Sequence, residues 1–197
     1  MHDTAKFYGE RFLDTYSPTI TGLSGNIPLV LEVGAGNDVT FKNKCAELKL
    51  NYQGIDQIHS SDSDIVYKLP AANNSVDIVV SSSCFEHDEF FWVTFLEIMR
   101  VLKPHGIFYL SAPSDGVYHK YPVDCWRFYP DSANALVKWA RKNRISAIVL
   151  ESFTGTPIND IWKDYMCVIL KSENLRSAYP NRMLDNLNYP ILYPFRQ

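Results

Sequence analysis

The chain has 197 residues, 46% hydrophobic and 21% charged, with a formal net charge of -3; these values suit one globular domain that buries its own core and exclude a disordered or fibrous chain. No apolar run approaches the roughly 20 residues that cross a bilayer, and no basic segment precedes an apolar stretch at the N-terminus, so neither membrane spanning nor export is expected. Lys and Arg form no block able to neutralise a row of phosphates, which argues against nucleic acid as a partner.

In chain order, residues 3–16 suit a helix. Residues 27–33 form a short apolar run ending in glycine, as a buried first strand does. A helix is expected over 38–48, a second strand over 51–55 ending at Asp56, and a short third strand over 64–67. The β-branched run 76–81 follows the turn signal Asn73-Asn74-Ser75 and reads as a fourth strand. Phe91, Phe95, Ile98 and Leu102 recur at spacings of four, three and four, which puts them on one helix face, and Lys103-Pro104-His105-Gly106 stops that helix. A fifth strand over 107–112, a helix over 130–143 and strands over 145–153 and 165–170 complete the α/β alternation.

The last two strands have a borderline connection, short enough for a hairpin and almost long enough for a crossover. Basic residues from Lys138 to Arg144 read as the solvated end of a helix, where cations complement the dipole. The tail from Ser172 is not assigned. Cys45, Cys84, Cys125 and Cys167 form no Cys-x-x-Cys pair, so they are expected to be reduced core thiols in a cytoplasmic protein.

After the first strand, Gly34-Ala35-Gly36 can turn tightly and let backbone approach a ligand. By itself this is also an ordinary strand-to-helix turn, and Val39 stands where a dinucleotide fingerprint has its third glycine. Asp56, twenty residues beyond Gly36, is placed to accept hydrogen bonds from both ribose hydroxyls of an adenosine-type cofactor.

Five segments then follow in order: Val30-Leu31-Glu32-Val33-Gly34-Ala35-Gly36; Gly54-Ile55-Asp56; Leu69-Pro70 with Asn74-Ser75-Val76-Asp77-Ile78-Val79-Val80; Glu86-His87; and Glu97-Ile98-Met99-Arg100-Val101-Leu102-Lys103-Pro104-His105-Gly106. Together they resemble class I S-adenosylmethionine-dependent methyltransferases over about residues 27–170. The resemblance implies a Rossmann-like seven-stranded sheet, mostly parallel with an antiparallel last strand, flanked by helices. It also implies site roles. Glu32 fixes the turn and the methionine end, Gly34, Ala35 and Gly36 line the cofactor, Asp56 holds the ribose, Gln57 flanks the adenine and Leu69 packs near it. Ser82 and Ser83 lie near the sulfonium. The acid that often precedes Leu-Pro is absent here, with Asp64 a possible substitute. The N-terminal helix could be a lid with Tyr8 over the cofactor or could simply pack on the core.

In an open α/β sheet the ligand crevice lies beyond the carboxyl ends of the strands, here the segments after strands four and five. These hold Glu86-His87-Asp88-Glu89 and the stretch from His119 to Pro130. His119 and His87 are candidate bases, since imidazole titrates near neutrality; His87 could equally brace its loop. Asp124 is a candidate to orient His119 or bind hydroxyls, Arg127 to hold an anion, and Tyr121 and Trp126 to face a sugar ring, with loop anchoring the equal alternative for Trp126.

The stretch from Ala112 to Asp131 is similar to small methyltransferases of surface-polysaccharide and glycan assembly, which implies a sugar or oligosaccharide acceptor and O-methylation. Other small-molecule N- or O-methylation and a non-catalytic S-adenosylmethionine-binding regulatory protein are the alternatives, and a nicotinamide oxidoreductase lacks its third glycine. His87, Asp88, His119 and Asp124 could converge on a divalent metal, but no local ligand spacing demonstrates one, and none is expected.

Overall fold

The computed structural model describes residues 1–55, 68–187 and 191–194. Seven strands form one sheet in the spatial order β2-β1-β3-β4-β6-β5-β7. They are β1 (Leu29–Val33), β2 (Asn51–Ile55), β3 (Val76–Ser82), β4 (Leu102–Asp115), β5 (Ile148–Gly155), β6 (Lys163–Leu170) and β7 (Ile191–Pro194). Helices α1 (Asp3–Ser24), α2 (Thr40–Glu47), α3 (Phe91–Val101) and α4 (Asp131–Lys142) flank it.

β1 pairs in parallel with β2 and β3, and β3 with β4, while β6 runs antiparallel between β4 and β5 and β7 antiparallel along β5. The sheet has seven strands and is mostly parallel with an antiparallel last strand, as expected; six of its strands match those placed in the sequence, the seventh, β7, comes from the unassigned tail, and both β6 and β7 oppose the first five. Only residues 156–162 separate β5 from β6, too few for a crossover, so these two form a hairpin. The strand expected over 64–67 lies outside the described residues.

Strands β1, β3, β4, β5 and β6 are largely buried on both faces, whereas β2 is largely exposed, and the alternation of the buried strands assigns side chains to two layers. Leu31, Val33, Phe108, Leu110, Cys167 and Ile169 face α3 and α4, whereas Val30, Ile107, Tyr109, Met166 and Val168 face α1 and α2. In α1, Tyr8, Phe12, Tyr16 and Ile20 follow one another at four-residue steps and are all fully or almost fully buried. Phe12 stacks on Tyr109 at 4.6 Å and Tyr8 meets Phe153 edge-on at 5.1 Å.

Several expectations are corrected here. α1 is longer than 3–16, and Tyr8 is a core residue rather than a lid over a ligand. The core extends beyond 27–170, because α1 on one side and Tyr179 and Met183 on the other belong to it. Leu102 begins β4 instead of closing the helix. Cys45 and Cys167 are buried thiols as expected, but Cys84 is half-buried and Cys125 exposed. Asn74, in the expected turn, takes a left-handed φ of 54°, a conformation asparagine tolerates. The basic end of α4 is exposed apart from Ala140.

The tail is held by a buried carboxylate. Glu151 on β5 accepts the Tyr16 hydroxyl at 2.5 Å and the backbone N–H groups of Met183 at 2.7 Å and Leu184 at 3.3 Å. One side chain thereby joins α1, the sheet and the tail. Replacing Glu151 by Ala strands these three donors in a dry environment, which costs about 2–4 kcal/mol. The expected result is a fall in melting temperature of roughly 4–16 °C for a chain of this size, measured by calorimetry.

Candidate active site

The parallel register of β1, β2 and β3 brings the turn after β1 and the loop after β3 to one edge of the sheet. In the turn, the Gly34 and Ala35 N–H groups both donate to the Ile55 carbonyl at the end of β2, at 2.8 and 3.1 Å. Gly34 has φ of 81°, and a Cβ there would lie 2.5 Å from Cys84 Sγ. Glycine is therefore required twice, for its conformation and for contact with the facing loop. At Gly36 φ is 49° and the position a Cβ would take is open.

The facing loop starts at Ser82 and Ser83. Ser83 adopts φ of 49° and donates its N–H to the Ser111 carbonyl at 3.0 Å. A left-handed non-glycine residue costs about 1–2 kcal/mol and must be held by its surroundings. The Ser82 hydroxyl is buried and has no hydrogen-bond partner among the described residues.

Between turn and loop lies a cavity of about 820 Å3. Glu32, Gly34, Ala35, Gly36, Ser82, Ser83 and His87 line it, together with Asn37, Asp38, Lys120 and Tyr121. Six of the nine residues expected at a cofactor site are thus brought together. Asp56 and Gln57, and also Asp64, lie outside the described residues. Leu69 is buried in the core, its N–H donating to Glu97 Oε2 at 3.1 Å and its carbonyl accepting from Arg100 at 3.1 Å.

Glu32 is 2% exposed and accepts the Tyr52 hydroxyl at 2.7 Å. Burial pushes its pKa up to about 7, against the lowering effect of the Tyr52 hydrogen bond. Tyr52 was not singled out in the sequence; only its alternation within β2 could have pointed to it.

The second half of the site is the long loop between β4 and α4, docked on residues 84–88. Cys125 N–H donates to the Glu86 carbonyl at 2.7 Å, and the Trp126 indole N–H to the Asp88 carbonyl at 2.9 Å. His87 Nδ1 donates to the Val123 carbonyl at 2.5 Å. A carbonyl only accepts, so Nδ1 carries the proton and the Nε2 lone pair of the neutral ring remains available. Burial holds the His87 pKa below its ordinary value, which keeps that ring neutral.

His119 lies beside it, the two rings edge-to-face with centroids 4.9 Å apart. Asp124 Oδ2 accepts the His119 backbone N–H at 2.8 Å and lies 3.4 Å from His119 Nδ1. Asp124 also holds Arg127, with N–O distances of 2.5 and 2.8 Å, and its pKa falls to about 2, chiefly through that guanidinium. Arg127 further donates to the Trp126 and Val117 carbonyls. The structure therefore uses Arg127 to brace the loop. Trp126 packs against Phe91 and Trp92 as a loop anchor. Tyr121 is 77% exposed at the cavity, with its ring edge-on to that of His87 at 6.2 Å.

Glu86, named in the sequence only as part of a polar cluster, stands out. Its side chain is 1% exposed, neither oxygen has a hydrogen-bond partner beyond its own backbone N–H among the described residues, and Oε1 lies 3.6 Å from His87 Nε2. Burial pushes its pKa up to about 8, with Asp164 adding to the rise.

This geometry, a glycine turn facing a strained serine loop at the ends of parallel strands, defines a nucleotide-type cofactor pocket on a doubly wound sheet. A family model described as a methyltransferase domain matches residues 35–110. An uncharacterized methyltransferase of Mycobacterium bovis is 30% identical over 196 residues, covering 89% of this chain and 68% of that protein. One of Mycobacterium leprae is 29% identical over 124 residues, 55% of this chain and 44% of its own length. Among solved structures, the 1,6-didemethyltoxoflavin-N1-methyltransferase of Burkholderia thailandensis, with bound 1,6-didemethyltoxoflavin and S-adenosylhomocysteine, aligns with a TM-score of 0.56 at 14% identity, covering 82% of this chain and 81% of that one. A SAM-dependent methyltransferase of Archaeoglobus fulgidus aligns with a TM-score of 0.55 at 14% identity, covering 83% and 93%.

The chain belongs to the class I S-adenosylmethionine-dependent methyltransferases, and S-adenosylmethionine is its cofactor. The residues present fit that molecule: the cradle at Gly34 excludes a side chain, the Ser82 hydroxyl has no partner among the described residues, and Glu32 places a carboxyl group in the cavity. No described helix is long and apolar enough to cross a membrane.

Gly34→Ala combines backbone strain with overpacking, about 1–3 kcal/mol for each. Its affinity for S-adenosylhomocysteine in calorimetric titration should fall at least about tenfold, the equivalent of roughly 1.4 kcal/mol. Gly36→Ala, with open space around it, should lose less.

Proposed function

We propose that this protein transfers the methyl group of S-adenosylmethionine to a hydroxyl oxygen of a sugar or oligosaccharide. The observation that carries the reading is the neutral His87, lining the cofactor cavity with its Nδ1 proton committed to Val123 and its Nε2 lone pair free of that bond. A sugar hydroxyl is a weak nucleophile, and its oxygen bonds to carbon readily only as its proton leaves, so a proton acceptor at this place answers the chemical need. Bound S-adenosylmethionine supplies a methyl carbon on a positively charged sulfur.

On this reading Glu32 and the turn from Gly34 to Gly36 hold the methionine end, and Ser82 and Ser83 stand beside the sulfur. Asp56 and Gln57 are assigned to the ribose and adenine end, and Leu69 stays with the core. His87 accepts the hydroxyl proton as the new oxygen–carbon bond forms. His119 and Asp124 are positioning residues: Asp124 fixes His119, and the His119 ring supports that of His87. Tyr121 offers its exposed face to a sugar ring, and Lys120 beside it donates to hydroxyl oxygens. Trp126 and Arg127 contribute by holding this loop in place. A carbohydrate acceptor is favoured over an anionic one because the loop's guanidinium is already bound to Asp124.

His87→Ala should lower turnover on glycan acceptors by about 10²–10⁴, the usual share of general-base catalysis, with S-adenosylhomocysteine affinity little changed. Asp124→Asn should move the pH–rate profile as well as its height. Labelled-methyl transfer across a glycan panel checks both, and wild-type turnover in His87→Ala overturns the assignment of the base.

The raised pKa of Glu32 predicts a pH dependence of cofactor binding. If the carboxylate form pairs with the cofactor's ammonium group, the competent fraction falls tenfold per pH unit below about 7 and is constant above it. Affinity for S-adenosylhomocysteine should therefore rise with pH up to about 7 and then level off. Glu32→Gln should lose the step, as read by calorimetric titration between pH 5.5 and 8.5, a window chosen roughly to bracket it.

A further inference from the structure

The structure assigns a divalent transition-metal site to Glu86, His87 and His119. A carboxylate oxygen of Glu86 and one ring nitrogen from each histidine lie within 4.8 Å of one another. His87 Nε2 and Glu86 Oε1 are already 3.6 Å apart, close to the edge of about 3.4 Å that ligands at roughly 2.1 Å from a tetrahedral ion span. The third ligand needs only a small adjustment, and His119, with a side chain 34% exposed, has room to make it.

Three further features are those a metal centre needs. Both imidazoles are held through Nδ1 by protein oxygens, His87 on the Val123 carbonyl and His119 facing Asp124 and the Val117 carbonyl. Such partners fix the tautomer and aim the Nε2 lone pair inward. Glu86 is buried, and among the described residues both its oxygens are unpartnered apart from its own backbone N–H, although a buried carboxylate normally collects donors. A cation would supply what they lack. Two neighbouring carboxylates are engaged: Asp88 accepts from Phe90 N–H and the Thr94 hydroxyl, and Asp124 from Arg127.

Two imidazoles and one carboxylate suit zinc, ferrous iron, manganese or cobalt rather than calcium or magnesium, which take mostly oxygen. Three protein ligands leave a coordination position open, as catalytic rather than structural sites do. Because His87 lines the cofactor cavity, that position is available to the acceptor. This part deepens the O-methylation reading and rests on it, with one change of role: with an ion bound, His87 would serve as a ligand through Nε2 instead of as the base, and the ion would supply the acidity that lets a hydroxyl at the open position lose its proton to solvent water. Metal binding itself does not depend on that reading.

The test uses the full chain stripped with a chelator and then titrated with cobalt(II), followed by visible absorption, with zinc(II) as competitor. One equivalent should bind with ligand-field bands that zinc abolishes. Glu86→Gln, His87→Ala and His119→Gln should each weaken binding by more than the roughly 10–100-fold that loss of an outer-shell partner costs. His105→Ala, whose ring pairs with Asp77 at 3.0 Å at the other end of the sheet, should bind as wild type. S-adenosylhomocysteine titration of the same samples reports folding and the cofactor site separately. Absence of stoichiometric cobalt binding in a wild-type chain that binds S-adenosylhomocysteine overturns the metal site and leaves the methyltransferase assignment intact. Equal cobalt affinity in wild type and in His119→Gln overturns it as well.

Discussion

The site depends on how closely the turn after β1 approaches the loop after β3. At Gly34 the two backbones come so near that a single added carbon would meet Cys84 at 2.5 Å. That contact follows from the parallel pairing of β1 with β3, in which Glu32 is level with Val80, so both strands end at the same height. From there one side leads into the glycine turn, tied to Ile55 of β2, and the other into Ser82, Ser83 and the cluster at Glu86 and His87. The cavity is the space left where two tightly apposed loops diverge.

Buried carboxyl groups are handled in different ways across the molecule, and the differences separate structure from chemistry. Asp77 accepts from Leu29 N–H, Lys103 and His105, and these bonds outweigh its burial and lower its pKa. It locks the start of β1 to the neighbouring strands. Glu151 is likewise supplied with three donors and fastens the tail. Glu32 and Glu86 have less. Among the described residues Glu32 has a tyrosine hydroxyl and Glu86 its own backbone N–H, and both line or adjoin the cavity. An under-satisfied buried acid is unfavourable in the free protein.

Much of the scaffold was legible because it rests on local patterns. The β-branched run at 76–81, the four-residue steps of the α3 face and the turn at Asn73-Asn74-Ser75 each specify an element whatever surrounds them. Glu97 and Arg100, noted only as members of a motif, prove to clamp the backbone of Leu69. The tail was not legible. Its short 3-10 turn at Glu173–Ala178 and the four-residue strand β7 carry too few residues for periodicity to register, and their order comes from partners far away in the chain, Glu151 and Arg11 among them.

By itself, the sequence determined the alternating α/β order, the glycine turn and the ordered segments that mark a methyl-donor pocket, because each is written in contiguous residues whose conformational needs are local. Tertiary structure alone decided what the polar residues do. Arg127 and Trp126, offered as substrate groups, are bound within the loop, and Tyr8 is core. Glu86, which looked like one acid among several in its cluster, is buried with no donor among the described residues beyond its own backbone N–H. Burial and hydrogen-bond satisfaction are properties of the packed chain: no spacing of letters reveals that Asp88 and Asp124 find their partners while Glu86 and the two histidines are left facing one another.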